Sequence, residues 1–327
     1  MKLTVAVITY NQAPFIRQTL DNVFAQQHAM EWEVLVGEDD SSDGTREIVR
    51  GIGDQHPGLM RVRLGSRKDI VFIGGKPTGR RNFIETIKSC SGEYIAYCEG
   101  DDYWISPDKL RRQAEMLDSN PSLSMVATDA WLEHDGERTL FSSLFIKKKA
   151  ASYTLNDLLN GDFMPPTCSV MFRRSLLEFP DWLWGTPVGD VPLFALSARH
   201  GPIGWIDEPL AVYRIQPGGI FSKGKIPKGL QTSVKNARVH MQAVIGMYEN
   251  IRLEIGSAFR ADATRRIAQM HRDTAWLARS EGNAALMRRH AWQSLCESPR
   301  HHTVELVRLI LRSALPLSVV ETTAAAS

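Results

Sequence analysis

The sequence predicts an α/β fold: a mostly parallel central sheet covered by helices, followed by an α-helical C-terminal region. Three observations predict it. Short β-branched apolar runs alternate with stretches of helical spacing through the first 120 residues or so, polar and acidic clusters fall at the ends of the apolar runs, and from about Pro227 the pattern turns helical with few glycines. Strands of a parallel sheet are buried on both faces, which accounts for their near-continuous hydrophobicity.

The elements follow in order. "LTVAVIT" reads as the first strand, and "PFIRQTLDNVFAQ" carries Phe15, Ile16, Leu20, Val23 and Phe24 at helical spacing. "WEVLVG", "TREIVRGI", "RVRL", "FIETIKSC" and "EYIAYC" continue the alternation of strand and helix. "SPDKLRRQAEML" is expected as a helix with Ser106 as N-cap, Pro107 at the first helical position and Asp108 in the first turn. Beyond it lie the strands "SLSMVATDAWL" and "TCSVMF", a helix at "DVPLFALSARH", and "GWIDEPLAVYRI" running into the Gly-rich "QPGGIFSKGK". A domain boundary is expected between residues 226 and 227. In the C-terminal part, "AWLARSEGNAALMRRHAWQSLCESP" reads as two helices joined at Gly282-Asn283, a single hairpin unit and not a repeat array.

Composition excludes several classes. With 43% hydrophobic residues in 327 the chain can build a full core, and 39 Lys and Arg against 37 Asp and Glu leave a charge of +2, too balanced to argue for nucleic acid. Cys90, Cys98, Cys168 and Cys296 lie far apart with no CxxC pair, as in a reducing compartment. "MKLTVAVITYNQ" lacks the features of a signal peptide, and no stretch approaches the roughly 18 apolar residues that span a bilayer. The expected location is the cytoplasm, or the inner face of its membrane.

In an open α/β sheet, ligands bind outside the carboxyl ends of the strands. Three clusters project there: Thr9-Tyr10-Asn11 after strand one, "EDDSSDG" after strand two and "EGDDYW" after the strand "EYIAYC". In the second, Asp43 suits the turn and cap before "TREIVRGI", leaving Glu38 and Asp39 as ligand candidates. A calcium loop fails, since position twelve is Arg50 and a strand precedes it. "GGKPTGRRNF" lacks the Lys-Ser/Thr ending of a P-loop, yet Arg80-Arg81 at a helix start suits a phosphate or a base edge. In the third cluster, Glu99, Asp101 and Asp102 would repel one another and raise each other's pKa. Oxygen ligands without His or Cys nearby point to Mg²⁺ or Mn²⁺.

"VAVITYN", "VLVGEDDSSDGT", "GRRNFIETIKSCSGEYIAYCEGDDYW", "GDVPLF" and "VYRIQPGGIFS" together resemble the family 2 glycosyltransferases, bacterial enzymes of the A-type glycosyltransferase fold, over about residues 1 to 222. The resemblance implies a glycosyltransferase catalytic domain at 1–226 and a helical domain at 227–327. It also implies a uridine or thymidine diphosphate sugar as donor and inversion at the anomeric carbon, in surface polysaccharide or glycan synthesis. It assigns Thr9, Tyr10 and Asn11 to the nucleotide-binding turn, Asp39 to the pyrimidine, with Glu38 beside it, Arg81 to the base, Asp101 and Asp102 to metal and ribose, with Asp102 as the direct metal ligand, and Trp104 to the donor site. Asp190, at a helix start, is the implied catalytic base, with an N-cap as the plain alternative. The sequence departs from the family at Glu38 and Glu99, where Asp is usual, and at Gln216, where a His is common. A Gln carbonyl still suits a hard ion but does not titrate, which weakens the case for a strict metal requirement.

The acceptor itself is poorly encoded; a glycan or lipid-linked one is expected, with "GDFMPPTCSVMF" and the loop Phe221 to Lys228 expected to border its side of the cleft. In "VELVRLILRSALPLSVV", Val304, Leu306, Val307, Ile310, Leu311 and Leu315 suit packing on the helical hairpin, or else a helix lying on the membrane surface. Two rival readings are a nucleotidyltransferase, against which the absence of a Gly-rich basic turn after strand one argues, and a non-catalytic adaptor, against which the retained acids argue.

Overall fold

The structure is a computed structural model that describes residues 1–73, 75–216, 234–299 and 303–312. The chain divides into two compact units, Met1–Pro217 and Gly218–Ser327. The expected boundary at 226/227 and the loop Phe221 to Lys228 lie outside the described residues.

The first unit is built on a ten-stranded sheet. Its parallel part comprises β1 (Leu3–Thr9), β2 (Trp32–Glu38), β3 (Met60–Leu64) and β6 (Tyr94–Glu99), in the order β6-β1-β2-β3. The crossovers between them are α1 (Ile16–Phe24), α2 (Thr45–Gln55) and α3 (Arg80–Lys88). A short hairpin, β4 (Val71–Ile73) with β5 (Lys76–Thr78), precedes α3. Strands one, two and six are almost wholly buried, as apolar β-branched runs between two helical layers must be.

Beyond β6 the sheet becomes mixed. β7 (Tyr103–Trp104), α4 (Lys109–Ser119), β8 (Met125–His134), β9 (Glu137–Leu140), α5 (Ser142–Phe145), β10 (Ser152–Tyr153) and α6 (Leu155–Asn160) lead to β11 (Met171–Arg173), α7 (Asp190–Ala198) and β12 (Ile203–Arg214). β11 lies antiparallel between β6 and β8, and β7 pairs with β12 at Ala211 and Val212. "TCSVMF" is therefore a strand only in its second half. Thr167–Ser169 form a 3-10 turn closed by the Ser169 N–H and hydroxyl on Pro166 O.

Two expected caps shift. α4 starts at Lys109 with Asp108 as N-cap, because residues 106–108 make a turn of their own in which Ser106 Oγ accepts from Asp108 N at 3.3 Å. Asp43 sits one residue ahead of the α2 N-cap, Gly44, and there accepts from Thr45 N at 3.0 Å and from Ala13 N at 3.0 Å. It thus stitches the first loop to the second.

The second unit is helical: α8 (Val234–Glu254), α9 (Arg260–Ser280), α10 (Ala284–Glu297) and α11 (Thr303–Arg312). Gly282 and Asn283 make the expected corner, with Asn283 Oδ1 accepting from Leu286 N at 3.0 Å as N-cap. Leu306 and Leu309 are buried with Ala275, Ala278, Met287 and Ala291. Of the apolar residues expected to pack there, Leu306 is buried and Ile310 is partly buried against the same cluster, Val307 is 39% exposed, and Leu315 lies outside the described residues. Among the described residues no helix is long and apolar enough to cross a membrane.

Candidate active site

Register brings the predicted clusters to one edge. In the parallel ladder Thr9 lies opposite Glu38, and Ile8 opposite Glu99, so β1, β2 and β6 end level with one another. Asp39 N then donates to Thr9 O at 3.1 Å and Gly100 N to Ile8 O at 2.9 Å, which locks both loops to the end of β1.

Glu99, Gly100, Asp101 and Asp102 form the tight turn between β6 and β7, closed by Asp102 N on Glu99 O at 3.0 Å. Carboxylate oxygens of Glu99, Asp101 and Asp102 all lie within 4.8 Å of one another. Asp102 is 1% exposed. Its Oδ1 accepts from Arg214 N at 2.8 Å, while its Oδ2 is buried without any partner. Burial, and then Asp101 and Glu99, push the Asp102 carboxyl well above its usual range. Burial also raises Asp101, and Glu99 rises to about 8 through burial and the charges of Asp101 and Asp190. Three crowded carboxyls with an orphaned buried oxygen are the donor set of a hard divalent cation, so these residues fit Mn²⁺ or Mg²⁺.

More acceptors face the same turn. Thr9 Oγ1 and Gln12 Oε1 are buried without partners, and a side chain at Gly100 would come within 2.8 Å and 2.5 Å of them. Arg214, at the end of β12, also donates to Asp101 O at 2.6 Å and to Gln18. Gln216 follows two residues later, partly exposed.

At the end of β2 the two acids part. Glu38 is fully buried, with Arg46 Nε donating at 2.5 Å and Ser41 N at 2.6 Å; both its oxygens are engaged within the loop. Asp39 accepts from Arg67 Nη1 at 2.9 Å, yet its pKa is raised to about 6 by burial, which outweighs Arg67. The Arg67 guanidinium lies 4.0 Å over the ring of Tyr10, which is 40% exposed. Asn11 adopts φ 51° and accepts from Ser42 N at 2.9 Å, holding the first two loops together.

α3 presents its two arginines oppositely. Arg81 is exposed, whereas Arg80 is 7% exposed and donates through Nη2 to Thr186 O at 2.9 Å. Asn82 anchors the helix through Nδ2 to Gly37 O at 2.7 Å. Asp190 is the first residue of α7; its Oδ2 accepts from Thr167 Oγ1 at 2.7 Å and its Oδ1 from Val191 N at 2.8 Å. Trp104 lies behind the acid turn, not in an opening: it is 1% exposed, and its Nε1 donates to Cys168 O at 2.8 Å. Lys147 and Lys149 pair on the surface with Asp162 and Asp207.

Sequence reasoning gave no role to Gln12, Arg67, Thr167 or Arg214, and it offered Arg80 together with Arg81 to a phosphate or base edge, whereas Arg80 is buried on Thr186 O. Gln12 directly follows "VAVITYN", and Thr167 and Arg214 stand inside "GDFMPPTCSVMF" and "VYRIQPGGIFS". Arg67 carries no local signal, because only the fold brings it to Asp39.

A family model described as glycosyl transferase family 2 matches residues 4–179. A Mycobacterium tuberculosis protein described as uncharacterized is 30% identical over 225 residues, 67% of this chain and 60% of that protein. The chain thus spans about 60% of the length of that relative. Staphylococcus aureus TarS, named a poly(ribitol-phosphate) β-N-acetylglucosaminyltransferase, is 29% identical over 123 residues, 37% of this chain and 20% of that one. Its crystal structure with UDP-GlcNAc superposes with a TM-score of 0.61 at 18% identity, covering 91% of this chain and 81% of the other. A Pyrobaculum calidifontis mannosyltransferase in complex with GDP-Man and Mn²⁺ gives 0.57 at 19% identity, covering 96% and 86%. At such identities the superpositions establish the fold, a mixed sheet of the A-type glycosyltransferase kind.

Proposed function

The chain belongs to glycosyl transferase family 2, and from that premise we propose that it moves a sugar, with inversion, from a nucleotide-diphosphate sugar to an acceptor hydroxyl in the building of a bacterial surface glycan. The donor is a uridine or thymidine diphosphate sugar. The acceptor is a growing glycan or a lipid-linked one, met in the cytoplasm at the membrane's inner face. Residues 1–226 form the catalytic domain in this reading, and the helices after it are the part that approaches the membrane.

One observation carries the reading: Asp102 Oδ2, buried and unpartnered among Glu99 and Asp101 at the end of β6. An acid turn held only for structure would have its oxygens satisfied or solvated. Asp102 and Asp101 would hold Mn²⁺ or Mg²⁺, whose chemistry is to stabilise the diphosphate leaving group. Tyr10, Asn11, Asp39 and Arg67 take the nucleoside end, and the unpartnered Thr9 and Gln12 oxygens face the acid turn. Asp190 accepts the proton of the attacking hydroxyl; its hydrogen bonds from Thr167 and Val191 aim the carboxylate and leave it a base.

Titration calorimetry with UDP-GlcNAc, other uridine and thymidine diphosphate sugars and GDP-mannose tests the binding half. Wild-type protein is expected to bind at least one donor in Mn²⁺ and to lose that affinity in chelator, and Asp102→Asn to lose the Mn²⁺ dependence. Equal affinity with and without metal would contradict the metal role, and no binding of any donor would favour the adaptor reading.

A further inference from the structure

The charge of the chain is segregated between its two units. Residues up to Pro217 hold 23 Lys and Arg against 29 Asp and Glu, whereas those after it hold 16 against 8, so a unit of net charge −6 precedes one of +8. The tryptophans are segregated as well: of the chain's eight, Trp276 and Trp292 are the exposed ones, at 37% and 64%, and both belong to the second unit. An indole left in water is uncommon in a folded protein, because it is the largest apolar side chain and has one N–H to offer. On α10 the exposed Arg288, Arg289 and Trp292 stand three and four residues apart and so share one side, opposite the buried Met287, His290, Ala291 and Ser294. The one acid of that helix, Glu297, is taken by Arg252 of α8. On α9 the Arg279 guanidinium lies 5.1 Å from the centre of the exposed Trp276 ring, but Arg265 and Arg272 are matched by Asp262 and Asp273. The outer side of α10 is thus the less neutralised of the two.

We propose that this side of α10, with Arg288, Arg289 and Trp292, is a docking surface for anionic phospholipid headgroups. Charge complementarity chooses the occupant. A leaflet containing anionic lipids attracts basic side chains within a Debye length of it, a guanidinium matches the geometry of a phosphate, and an indole rests at the boundary of headgroup and acyl chain with its N–H turned to water. The proposal rests on the reading that these helices approach the membrane, and it moves the contact from α11, whose Leu306 and Leu309 are buried in packing, to α10. The same leaflet repels the −6 of the first unit, so attachment falls to the second.

The test is co-sedimentation of the full chain with vesicles of phosphatidylcholine, alone or with about 30% phosphatidylglycerol, at about 0.05 and 0.5 M salt. Wild-type protein is expected to bind the anionic vesicles about tenfold or more tighter than the neutral ones, and to lose most of that preference at the higher salt. Arg288→Glu with Arg289→Glu should weaken binding to anionic vesicles by about tenfold or more, and Trp292→Ala by about threefold or more. Arg288→Lys with Arg289→Lys should keep most of the binding, since the charge remains. Brominated acyl chains should quench the fluorescence of wild-type protein more than that of Trp292→Phe. Nucleotide release at the wild-type rate by each variant controls for an intact catalytic unit, and if the double Glu variant does not fold, Trp292→Ala and the quenching carry the test. Equal binding to neutral and anionic vesicles, or binding unchanged in Arg288→Glu with Arg289→Glu or in Trp292→Ala, overturns this surface, as does a preference for single-stranded RNA over anionic vesicles. No vesicle binding by wild-type protein refutes the surface and the membrane approach together and leaves sugar transfer standing. No nucleotide release from any donor refutes sugar transfer, while the vesicle series still decides the surface.

Discussion

Asp102 has one oxygen satisfied by a backbone amide and one left bare in a buried place, an arrangement that is costly unless a cation joins it. That such a residue would matter was legible, since three acids at the end of an apolar run have no structural excuse. Which oxygen would be bare was not, because it depends on Arg214 N arriving from a strand 112 residues away in sequence. The opposite ends of the strands hold a buried acid with the reverse fate. Glu33 is 5% exposed, and although burial alone would raise its pKa, hydrogen bonds from Arg61, Ser91 and Thr4 hold it at about 2, against an ordinary 4.5. A folded pKa below the unfolded one adds stability that is complete above about pH 4.5 and lost as pH falls towards about 2. Glu33→Gln is therefore expected to lower stability by about 1–2 kcal/mol at neutral pH, discounted for the exposed Arg61. Denaturant titrations should find the gap between variant and wild type closing as pH drops from about 5 to 3; a pH-independent gap would contradict the assignment.

At the scale of elements, the alternation of apolar runs and helical spacing located the parallel strands and their crossovers, since each such element is a local pattern. Short strands escaped it or were drawn too long. β7 is two residues long and exists by pairing with β12, and β11 covers only Met171–Arg173 where a strand was expected over all of "TCSVMF". The start of α4 was placed too early, because Ser106 spends its hydroxyl on a separate turn. The Arg80-Arg81 pair marked a helix start correctly, but the choice between them turns on helix docking. α3 is fixed by Asn82, which is 1% exposed, donates to Gly37 O at 2.7 Å and accepts from Arg63 Nη1 at 3.3 Å. That contact sends Arg80 inward and Arg81 out. Asn82→Ala leaves a buried carbonyl unpaired and is expected to cost about 2 kcal/mol, whereas Arg81→Ala should change stability by less than about 0.5 kcal/mol. Thermal melts of the two variants check the pair, and equal melting temperatures would contradict this docking.

For the whole molecule, the informative fact is register. Thr9, Glu38 and Glu99 end three adjacent strands at one level, so separate polar clusters in the sequence become one edge. The direction of parallel strands made that edge foreseeable; the return of Asp190 on α7 beside Glu99 was foreseeable only through the family's motif order. The central claim is that this edge performs metal-assisted glycosyl transfer with Asp190 as its base. The most direct measurement is nucleotide release from the donor that calorimetry identifies, with Mn²⁺ or chelator, by wild-type protein and by Asp190→Asn. The expected result is Mn²⁺-dependent release that falls by about 100-fold or more in Asp190→Asn, while donor binding is retained. Release at the wild-type rate by Asp190→Asn would contradict it.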